Sequence, residues 1–515
     1  MDDMHDETIL VLDFGSQYTQ LIARRIREAD VYSEIVDSAV SADEVRRAGP
    51  AGLILSGGPA SVDDADAPAC DPAIFDLGIP VLGICYGLHT MMRHFGGDVQ
   101  RSGTREYGAA SLSLAGENPL FDGVSARSQV WMSHADEVIG LAPECDGIGS
   151  SQTVHFAAVW HPRRQLWGVQ FHPEVVHTEH GKTMLHNFAR GICGCRGSWT
   201  AEAYAGKTVA AIREQVGDAN VICGLSGGVD SAVAALLIHR AIGDQLTCIL
   251  VDNGLLRHNE ADRLLDVFRQ HLSVNVRLVR AADLFLKKLA GVAEPEEKRR
   301  IIGREFVNVF KNSAADIENA HFLAQGTTYP DVIESSGIGR HAVVIKSHHN
   351  VGGLPAELGF DLVEPLRMLF KDEVREVGRT LGLPDEMVWR QPFPGPGLAV
   401  RVLGTVTKER IELVRAADRI VIQEMKQADY YRRVWQSFAV LLPVQTVGVM
   451  GDGRTYENAA VLRVVTSTDG MTADWVHLPH DLLVRIANRI TNEVRGINRV
   501  VYDITSKPPG TIEWE

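Results

Sequence analysis

The sequence predicts an α/β protein with two successive doubly wound, mostly parallel sheet domains, followed by a small α+β C-terminal domain. First, short aliphatic runs alternate with amphipathic stretches in two separate series, which is typical of buried parallel strands with helices between them. Second, the glycine and small residues of GICGCRGS (191–198) indicate a linker between the two series. Third, three prolines and three glycines interrupt the chain in QPFPGPGLAVRVLG (391–404). These breaks predict domains at residues 7–195, 198–392 and 393–515.

The expected elements follow from these runs in chain order. In the first domain a helix is expected at 17–29, and aliphatic runs predict strands at 8–15, 51–59, 79–87 and 166–174. In the second domain the runs predict strands at 220–228, 246–254, 274–280 and 320–327. In the tail we expect helices at 408–427 and 479–495 and strands at 437–450, 459–467 and 498–505. A mixture of this kind, without strict alternation, is typical of an α+β domain.

Composition limits the classes of protein to which the chain can belong. Its 515 residues exceed what one hydrophobic core usually supports. A net charge of −15 argues against nucleic acid as the main partner, because phosphate binding depends on clustered Lys and Arg. Seven cysteines without a C-x-x-C pair form neither a disulfide framework nor a zinc signature. With an acidic N-terminus and no apolar run of about 18 residues, we expect no export signal, no membrane span and a cytoplasmic location.

Cys85 is the first candidate for a catalytic residue. It follows an apolar run and precedes a helical pattern, so it is expected at a strand–turn–helix corner between Gly83 and Gly87. The positive end of a helix stabilises a thiolate placed there. His172 and Glu174 end another predicted strand, where a histidine can deprotonate the thiol and a carboxylate can orient that histidine. Taken separately, a buried cysteine is more often core packing, and a His-Pro-Glu triplet is more often a turn.

The motif G-x-C-x-G followed by F-H-P-E resembles the class I glutamine amidotransferase domain, over roughly residues 7–192. The resemblance implies that Cys85 attacks the side-chain amide of glutamine, that His172 carries a proton to the leaving ammonia, and that Glu174 orients His172. It also implies an oxyanion hole made by the backbone N–H groups of Gly57, Gly58 and Tyr86. The family commonly has glutamine at the position of His89, so the substrate contact made there is not carried over to this chain.

A glycine-rich loop follows the first strand of the second series and precedes a helical pattern. Backbone N–H groups of such a loop converge at the strand end and form an anion site. The loop lacks the lysine of the G-x-x-x-x-G-K-[ST] motif and resembles the pyrophosphatase loop of the ATP-pyrophosphatase superfamily. That resemblance implies that Asp230 positions Mg²⁺ and that Val251, on the next strand, lies near the adenine. The ATP-binding loop would consist of Ser226, Gly227, Gly228, Val229, Asp230 and Ser231.

Motifs in the rest of the chain resemble the family of glutamine-hydrolysing GMP synthetases, nearly from end to end. They are GTTYPDVIES (326–335), IKSHHNVGGLP (345–355), EPLRMLFKDEVR (364–375), QPFPGPGLAVRVLG (391–404), VGVMGDGRTYENAAVLR (447–463) and KPPGTIEWE (507–515). The resemblance implies that XMP, ATP, glutamine and water give GMP, AMP, pyrophosphate and glutamate, with Mg²⁺ accompanying ATP. Two positions differ from commoner residues of the family, Met450 in place of glutamine and Gly510 in place of alanine.

The same resemblance assigns further residues by matching positions. It implies a mobile lid over ATP and XMP that contains Asp331, Glu334, Lys346, His348, His349, Lys371 and Asp372. It implies contacts to XMP from Arg454, Lys507 and Glu513. It also implies a homodimer formed through the C-terminal domain, and a sheet of this size leaves an exposed edge for that role.

Other classes of protein share some of these motifs. A tRNA-thiolating enzyme has the S-G-G-x-D-S loop, but it needs reactive cysteines near it and a basic face, whereas Cys223 and Cys248 lie on predicted buried strands. A non-catalytic amidotransferase-like regulator would have lost part of the thiol site, and here all three of its side chains are present. Asparagine- and NAD-forming synthetases share the activation chemistry, but the former needs an N-terminal cysteine, and Asp2 occupies that position here.

Overall fold

The computed structural model describes residues 7–336, 359–450, 453–467, 470 and 472–515. The chain divides into two compact units. The first runs to Lys207 and includes a later segment that begins at Thr328, and the second contains Thr208–Thr327 and the chain that follows that segment. Within the described residues, no helix combines the length and the apolar character needed to pass through a membrane.

The first unit contains a nine-stranded sheet. Its strands are β1 (Thr8–Asp13), β2 (Tyr32–Asp37), β3 (Gly52–Leu55), β4 (Val81–Ile84), β5 (Asp98–Leu114), β6 (Arg127–Gly140), β7 (Asp146–Ser150), β8 (Ala158–His161) and β9 (Leu166–Val169). Strands β2, β1, β3, β4 and β9 are adjacent in that order and parallel. Strands β8, β7, β5 and β6 extend the sheet in antiparallel pairs.

The second unit contains a five-stranded parallel sheet and a four-stranded C-terminal sheet. The parallel strands, in sheet order, are β12 (Val276–Arg280), β11 (Leu246–Asp252), β10 (Asn220–Leu225), β13 (Ala320–Ala324) and β14 (Asp361–Val363). In the C-terminal sheet, β15 (Gln436–Met450) pairs antiparallel with β16 (Gly453–Thr466), which also pairs with β17 (Asp474–Trp475) and, in parallel, with β18 (Ile497–Tyr502).

Helices connect these strands and cover the sheets. They are α1 (Thr19–Arg27), α2 (Ala42–Ala48), α3 (Tyr86–His94), α4 (Gly181–His186), α5 (Ala201–Val216), α6 (Val229–Ile242), α7 (Glu260–Asp266), α8 (Ala282–Leu289), α9 (Pro295–Ala314), α10 (Tyr329–Ser336), α11 (Lys371–Thr380), α12 (Asp385–Val388), α13 (Lys408–Gln427) and α14 (His480–Glu493).

The α/β architecture and the small C-terminal sheet agree with the fold class predicted from the sequence. The antiparallel half of the first sheet was not predicted. Its strand β6 alternates buried and exposed residues along its length, because one face packs on the protein and the other faces solvent. Continuous aliphatic runs identify strands that are buried on both faces. They do not identify a strand such as β6, which is buried on one face only.

The predicted boundary at residue 392 does not separate two hydrophobic cores. Ile222 and Ile249 of the parallel sheet belong to the same cluster of buried side chains as Val414 of α13 and Leu462 of β16. The fully buried Lys298 of α9 also donates hydrogen bonds to the carbonyls of Ala399 and Val402 (3.4 and 2.8 Å). The proline- and glycine-rich stretch therefore marks a change of sheet inside one packed unit.

Candidate functional site

Cys85 occupies the corner between β4 and α3. Its φ of +51° lies in the left-handed region, which is unusual for a non-glycine residue and typical of strained functional turns. The corner packs so tightly that a Cβ on Gly87 would lie 2.6 Å from Cβ of Leu55, and a Cβ on Gly83 would lie 2.7 Å from the carbonyl carbon of Gly87. The predicted strand–turn–helix corner is therefore present, and its two glycines are required by close packing.

His172 and Glu174 form a buried pair beside this thiol. The His172 Nδ1 lies 2.7 Å from Oε1 of Glu174, whose side chain is fully buried. Burial by itself lowers the pKa of His172, but the charge of Glu174 and hydrogen bonds to Cys85 and Glu174 outweigh it and raise that pKa well above its ordinary value. An imidazolium next to the thiol stabilises a thiolate, so the arrangement suits nucleophilic chemistry.

The backbone next to Cys85 provides N–H groups for an oxyanion. A Cβ on Gly57 would lie 3.1 Å from Cε1 of His172 and 3.8 Å from Cβ of Cys85, and one on Gly58 would lie 3.2 Å from Cγ of Tyr86. Among the described residues, no acceptor takes a hydrogen bond from the N–H of Gly57, Gly58 or Tyr86. These N–H groups therefore remain available to an acceptor such as an oxyanion.

A cavity of about 760 Å³ opens above the thiol, within the usual range for small-molecule sites. Cys85, His172, Tyr18, Arg101, His89 and Asp136 are among the residues that line it. It therefore has room for an amino-acid substrate next to Cys85.

His89 occupies the position where the family commonly has glutamine, but its side chain is buried and contacts another side chain of the protein. It is 2% exposed, and its Nε2 lies 2.8 Å from Oε1 of Gln170. Burial lowers the pKa of His89 to about 4, so the ring is neutral near pH 7. Gln170 itself was not singled out from the sequence. The available signal was a polar residue that directly follows an apolar strand and lies two positions before His172.

The loop at the end of β10 forms the second constellation. Gly227 has φ +74°, and α6 starts directly after Gly228. The Ser226 and Ser231 hydroxyls lie 3.1 Å apart, the Ser231 hydroxyl donates to the Gly228 carbonyl (3.1 Å), and the Gly228 N–H donates to Ser226 Oγ (3.3 Å). The hydroxyls and the first N–H groups of α6 thus converge at one strand end, as a phosphate site requires.

Asp230 lies in the first turn of α6, where one carboxylate oxygen pairs with Lys371. Its other oxygen, Oδ1, is buried and has no hydrogen-bond partner among the described residues. Val251 is buried in the hydrophobic core on β11, so its side chain packs in the protein interior. The structure therefore places Lys371, a residue predicted to belong to the lid, against the predicted ATP-binding loop at 226–231.

Comparisons with known proteins match all three parts of the chain. A family model for class-I glutamine amidotransferases matches residues 10–192, one for NAD synthase matches 205–290, and one for the GMP synthase C-terminal domain matches 423–514. A protein of Heliobacterium modesticaldum named glutamine-hydrolysing GMP synthase is 58% identical over 510 residues, which cover 99% of both chains. One of the same name from Thermosynechococcus vestitus is 55% identical over 516 residues, covering 99% of this chain and 96% of the relative.

The chain belongs to the family of glutamine-hydrolysing GMP synthases. Members of this family are ligases that use glutamine as the amido donor. The amidotransferase model covers the corner at Cys85, and the NAD synthase model covers the loop at 226–231.

The described residues that the GMP synthetase resemblance assigns to a lid belong to different units of the chain. Asp331 is on α10 in the first unit, where its Oδ2 accepts hydrogen bonds from the Thr328 N–H and hydroxyl (2.8 and 2.7 Å) and so caps that helix. Asp372 follows Lys371 in the first turn of α11. Glu334 lies on α10, but its side chain is outside the described set. Lys346, His348 and His349 fall outside the described residues.

The three predicted XMP contacts are not brought together in one chain. Glu513 accepts hydrogen bonds from Arg401 (2.9 and 3.1 Å) and from Gln436 at the start of β15 (2.7 Å). Arg454 pairs with Val449 near the other end of that strand. A strand rises about 3.3 Å per residue, so the two ends of β15 are roughly 40 Å apart. A single nucleotide does not span that distance. Lys507 Nζ donates to the Gly470 carbonyl (2.7 Å).

Proposed function

We propose that this chain makes GMP from XMP in two coupled reactions. The first unit hydrolyses glutamine at Cys85, and the second adenylylates XMP with ATP and replaces the adenylate by the released ammonia. The products are GMP, AMP, pyrophosphate and glutamate. The observation that carries this proposal is the buried His172–Glu174 pair next to a thiol on a strained corner. Residues 7–195, 198–392 and 393–515 would contribute the amidotransferase, the adenylylating site and the XMP-binding and dimerisation part, respectively.

In the glutaminase reaction, the thiolate of Cys85 attacks the side-chain amide carbon of glutamine. The developing oxyanion accepts hydrogen bonds from the N–H groups of Gly57, Gly58 and Tyr86. His172 gives its proton to the departing nitrogen, the C–N bond breaks, and ammonia leaves a glutamyl thioester on Cys85. Water deprotonated by His172 then cleaves the thioester to glutamate. Glu174 holds the His172 ring in place throughout.

In the second reaction, the 226–231 loop binds the phosphates of ATP while the XMP carbonyl oxygen attacks the α-phosphate and pyrophosphate leaves. Mg²⁺ fits this site, because it commonly binds one or two carboxylates together with substrate phosphates, and Asp230 offers a buried oxygen without a partner among the described residues. Bound there, it would neutralise charge on the phosphates. Ammonia then displaces AMP from the activated purine. Lys507 and Glu513 remain our candidates for XMP contacts from the same chain.

A homodimer and a cytoplasmic location complete the proposal. Val447 and Val449 on β15 and Tyr456 on β16 are large apolar side chains exposed on one hairpin, which is typical of a surface covered by a partner. A second copy could also bring its Arg454 to this chain's XMP. The cysteines are all free thiols, which suits a reducing compartment.

The proposal is tested by assaying GMP formation from XMP, ATP and Mg²⁺ with either glutamine or ammonium as the nitrogen source. Cys85→Ala should abolish the glutamine-dependent reaction and retain the ammonium-dependent one, because only the first needs the thiol. Cys145→Ala, at a partly buried thiol that does not line the cavity, is the matched control and should retain both. Equal loss with ammonium would contradict the division of labour between the units.

A further inference from the structure

Gln170 lies between the nucleophile and a buried histidine. Its Nε2 is 3.8 Å from Sγ of Cys85, and its Oε1 is 2.8 Å from Nε2 of His89. The Gln170 side chain is completely buried, and that of His89 nearly so. None of the reaction steps above uses the side chain of Gln170 or of His89. Gln170 nevertheless contacts the sulfur that reacts.

The backbone explains why this glutamine reaches the thiol. Strands β4 and β9 are adjacent and parallel, and the N–H of Cys85 donates to the carbonyl of Val169, the last residue of β9 (2.8 Å). Gln170 is the next residue, and its own N–H is held by the carbonyl of Ala157 (2.9 Å). The nucleophile corner and Gln170 are therefore fixed to the same pair of strand ends.

The structure places the amide oxygen of Gln170 toward His89. A carbonyl oxygen can only accept, so in this orientation His89 donates from Nε2 to Oε1. The amide NH₂ then faces the sulfur, where an N–H favours a thiolate. With the amide reversed, a carbonyl oxygen would face the sulfur and would repel its negative charge. The low pKa of His89, about 4 because of burial, keeps the ring neutral, although the nearby Asp136 acts to raise that pKa and His134 to lower it.

We propose that Gln170 is a catalytic residue that stabilises the Cys85 thiolate by donating an amide N–H to it, and that His89 is a positioning residue that fixes the orientation of this amide. The inference rests on the proposed role of Cys85 as the nucleophile. It assigns to His89 a role toward the thiol, in place of a contact with the substrate.

The test measures alkylation of Cys85 by iodoacetamide between pH 5 and 9, located by peptide mass spectrometry, alongside kcat and KM for glutamine hydrolysis. Gln170→Met has similar volume and no N–H, so alkylation near pH 7 should slow about tenfold, the size of a lost hydrogen bond to a charged group. The alkylation profile should shift to higher pH. Gln170→Glu places a carboxylate next to the sulfur and should slow alkylation at least as much. This variant provides the same test if Gln170→Met does not fold.

His89 is tested by a matched pair of substitutions. His89→Gln keeps an N–H donor for Oε1 of Gln170 and should alkylate at nearly the wild-type rate. His89→Leu lacks the donor and should slow alkylation several-fold, with kcat falling more than KM rises. The double variant His89→Leu/Gln170→Met should be no slower than Gln170→Met alone, because His89 acts only through that amide.

Three outcomes would overturn the inference. Unchanged alkylation in Gln170→Met would show that Gln170 does not stabilise the thiolate. Additive effects in the double variant would show that His89 does not act through Gln170. A higher KM with normal alkylation in both His89 variants would instead assign residue 89 to the substrate. Failure of the proposed function looks different, because Cys85→Ala would then still hydrolyse glutamine.

Discussion

The corner at Cys85 and the loop at 226–231 are two versions of one local design. In each, a buried parallel strand ends, one residue takes a positive φ, and a helix starts after no more than three intervening residues (β4 to α3 and β10 to α6). The two corners differ in which atoms they offer. The first offers a side chain, because the strained residue is a cysteine at φ +51°, and the second offers backbone N–H groups, because its residue is Gly227 at φ +74°.

This difference determines how many supporting side chains the protein must place around each site. A sulfur nucleophile needs a proton acceptor and charge stabilisation, so His172, Glu174 and Gln170 are buried around it before substrate arrives. A phosphate site needs only donors and room for an anion. Accordingly, the 226–231 loop lies partly exposed, and Asp230 keeps an oxygen that pairs with no described residue.

The largest effect expected is at Asp230. Asp230→Asn removes the carboxylate that would hold Mg²⁺ at the phosphates, so GMP formation from glutamine or from ammonium should fall about 10³-fold. Alkylation of Cys85 should not change, since the two corners are built separately. Asp244→Asn, exposed beyond the other end of α6, is the control. A loss confined to the glutamine-dependent reaction would contradict the assignment of Asp230.

The next effect concerns packing at the two corners. Gly87→Ala should lower the free energy of unfolding by about 3 kcal/mol, because the added Cβ meets Leu55 and the corner cannot yield. Gly228→Ala should cost less than about 1 kcal/mol, because its φ is negative and its Cβ meets only Ser226 Oγ, at 3.3 Å. Urea unfolding of both variants measures this difference, and equal losses would show that the corners are equally tight.

A somewhat smaller effect is expected when the charge on Glu174 is removed. Glu174→Gln no longer supports the raised pKa of His172, so the imidazolium will lose its proton at a lower pH. The alkaline limb of the glutaminase pH profile should move to lower pH, with kcat at pH 8 about 100-fold lower. Glu179→Gln, an exposed neighbour on the same loop, is the control. An unshifted alkaline limb would mean that Glu174 only holds the ring in place.

The smallest effect is a pH dependence of stability that comes from His89. Its pKa is about 4 when folded and 6.5 when exposed, so between pH 7 and 5 only the unfolded chain gains a proton there. Acidification should therefore destabilise the fold, with His89 contributing about 2 kcal/mol between pH 7 and pH 5. When unfolding is measured at both pH values, His89→Gln should lack this contribution of about 2 kcal/mol to the loss of stability. If acidification lowered the free energy of unfolding equally in both proteins, His89 would be protonated in the folded chain.

Much of both sites could be predicted from the sequence because local pattern specifies a corner. An aliphatic run that stops at a small or glycine-rich turn before a helical pattern identified Cys85 and the 226–231 loop directly. Gln170 was missed because nothing in the local pattern shows that a polar residue after a strand is buried against a sulfur 85 positions earlier. The separation of Arg454 from Glu513 was missed for a similar reason, since motif matching does not give the length and direction of β15.

The sequence by itself predicted the approximate positions of the strands, the cysteine with its histidine and glutamate as a candidate site, the glycine-rich loop and the family. Those features depend on local hydrophobic pattern and on residue type. Only the tertiary structure decided that the second and third predicted domains share one core, that Lys371 pairs with Asp230, and that His89 bonds to Gln170. Such pairings depend on which strands become neighbours in a sheet, and long-range packing settles that.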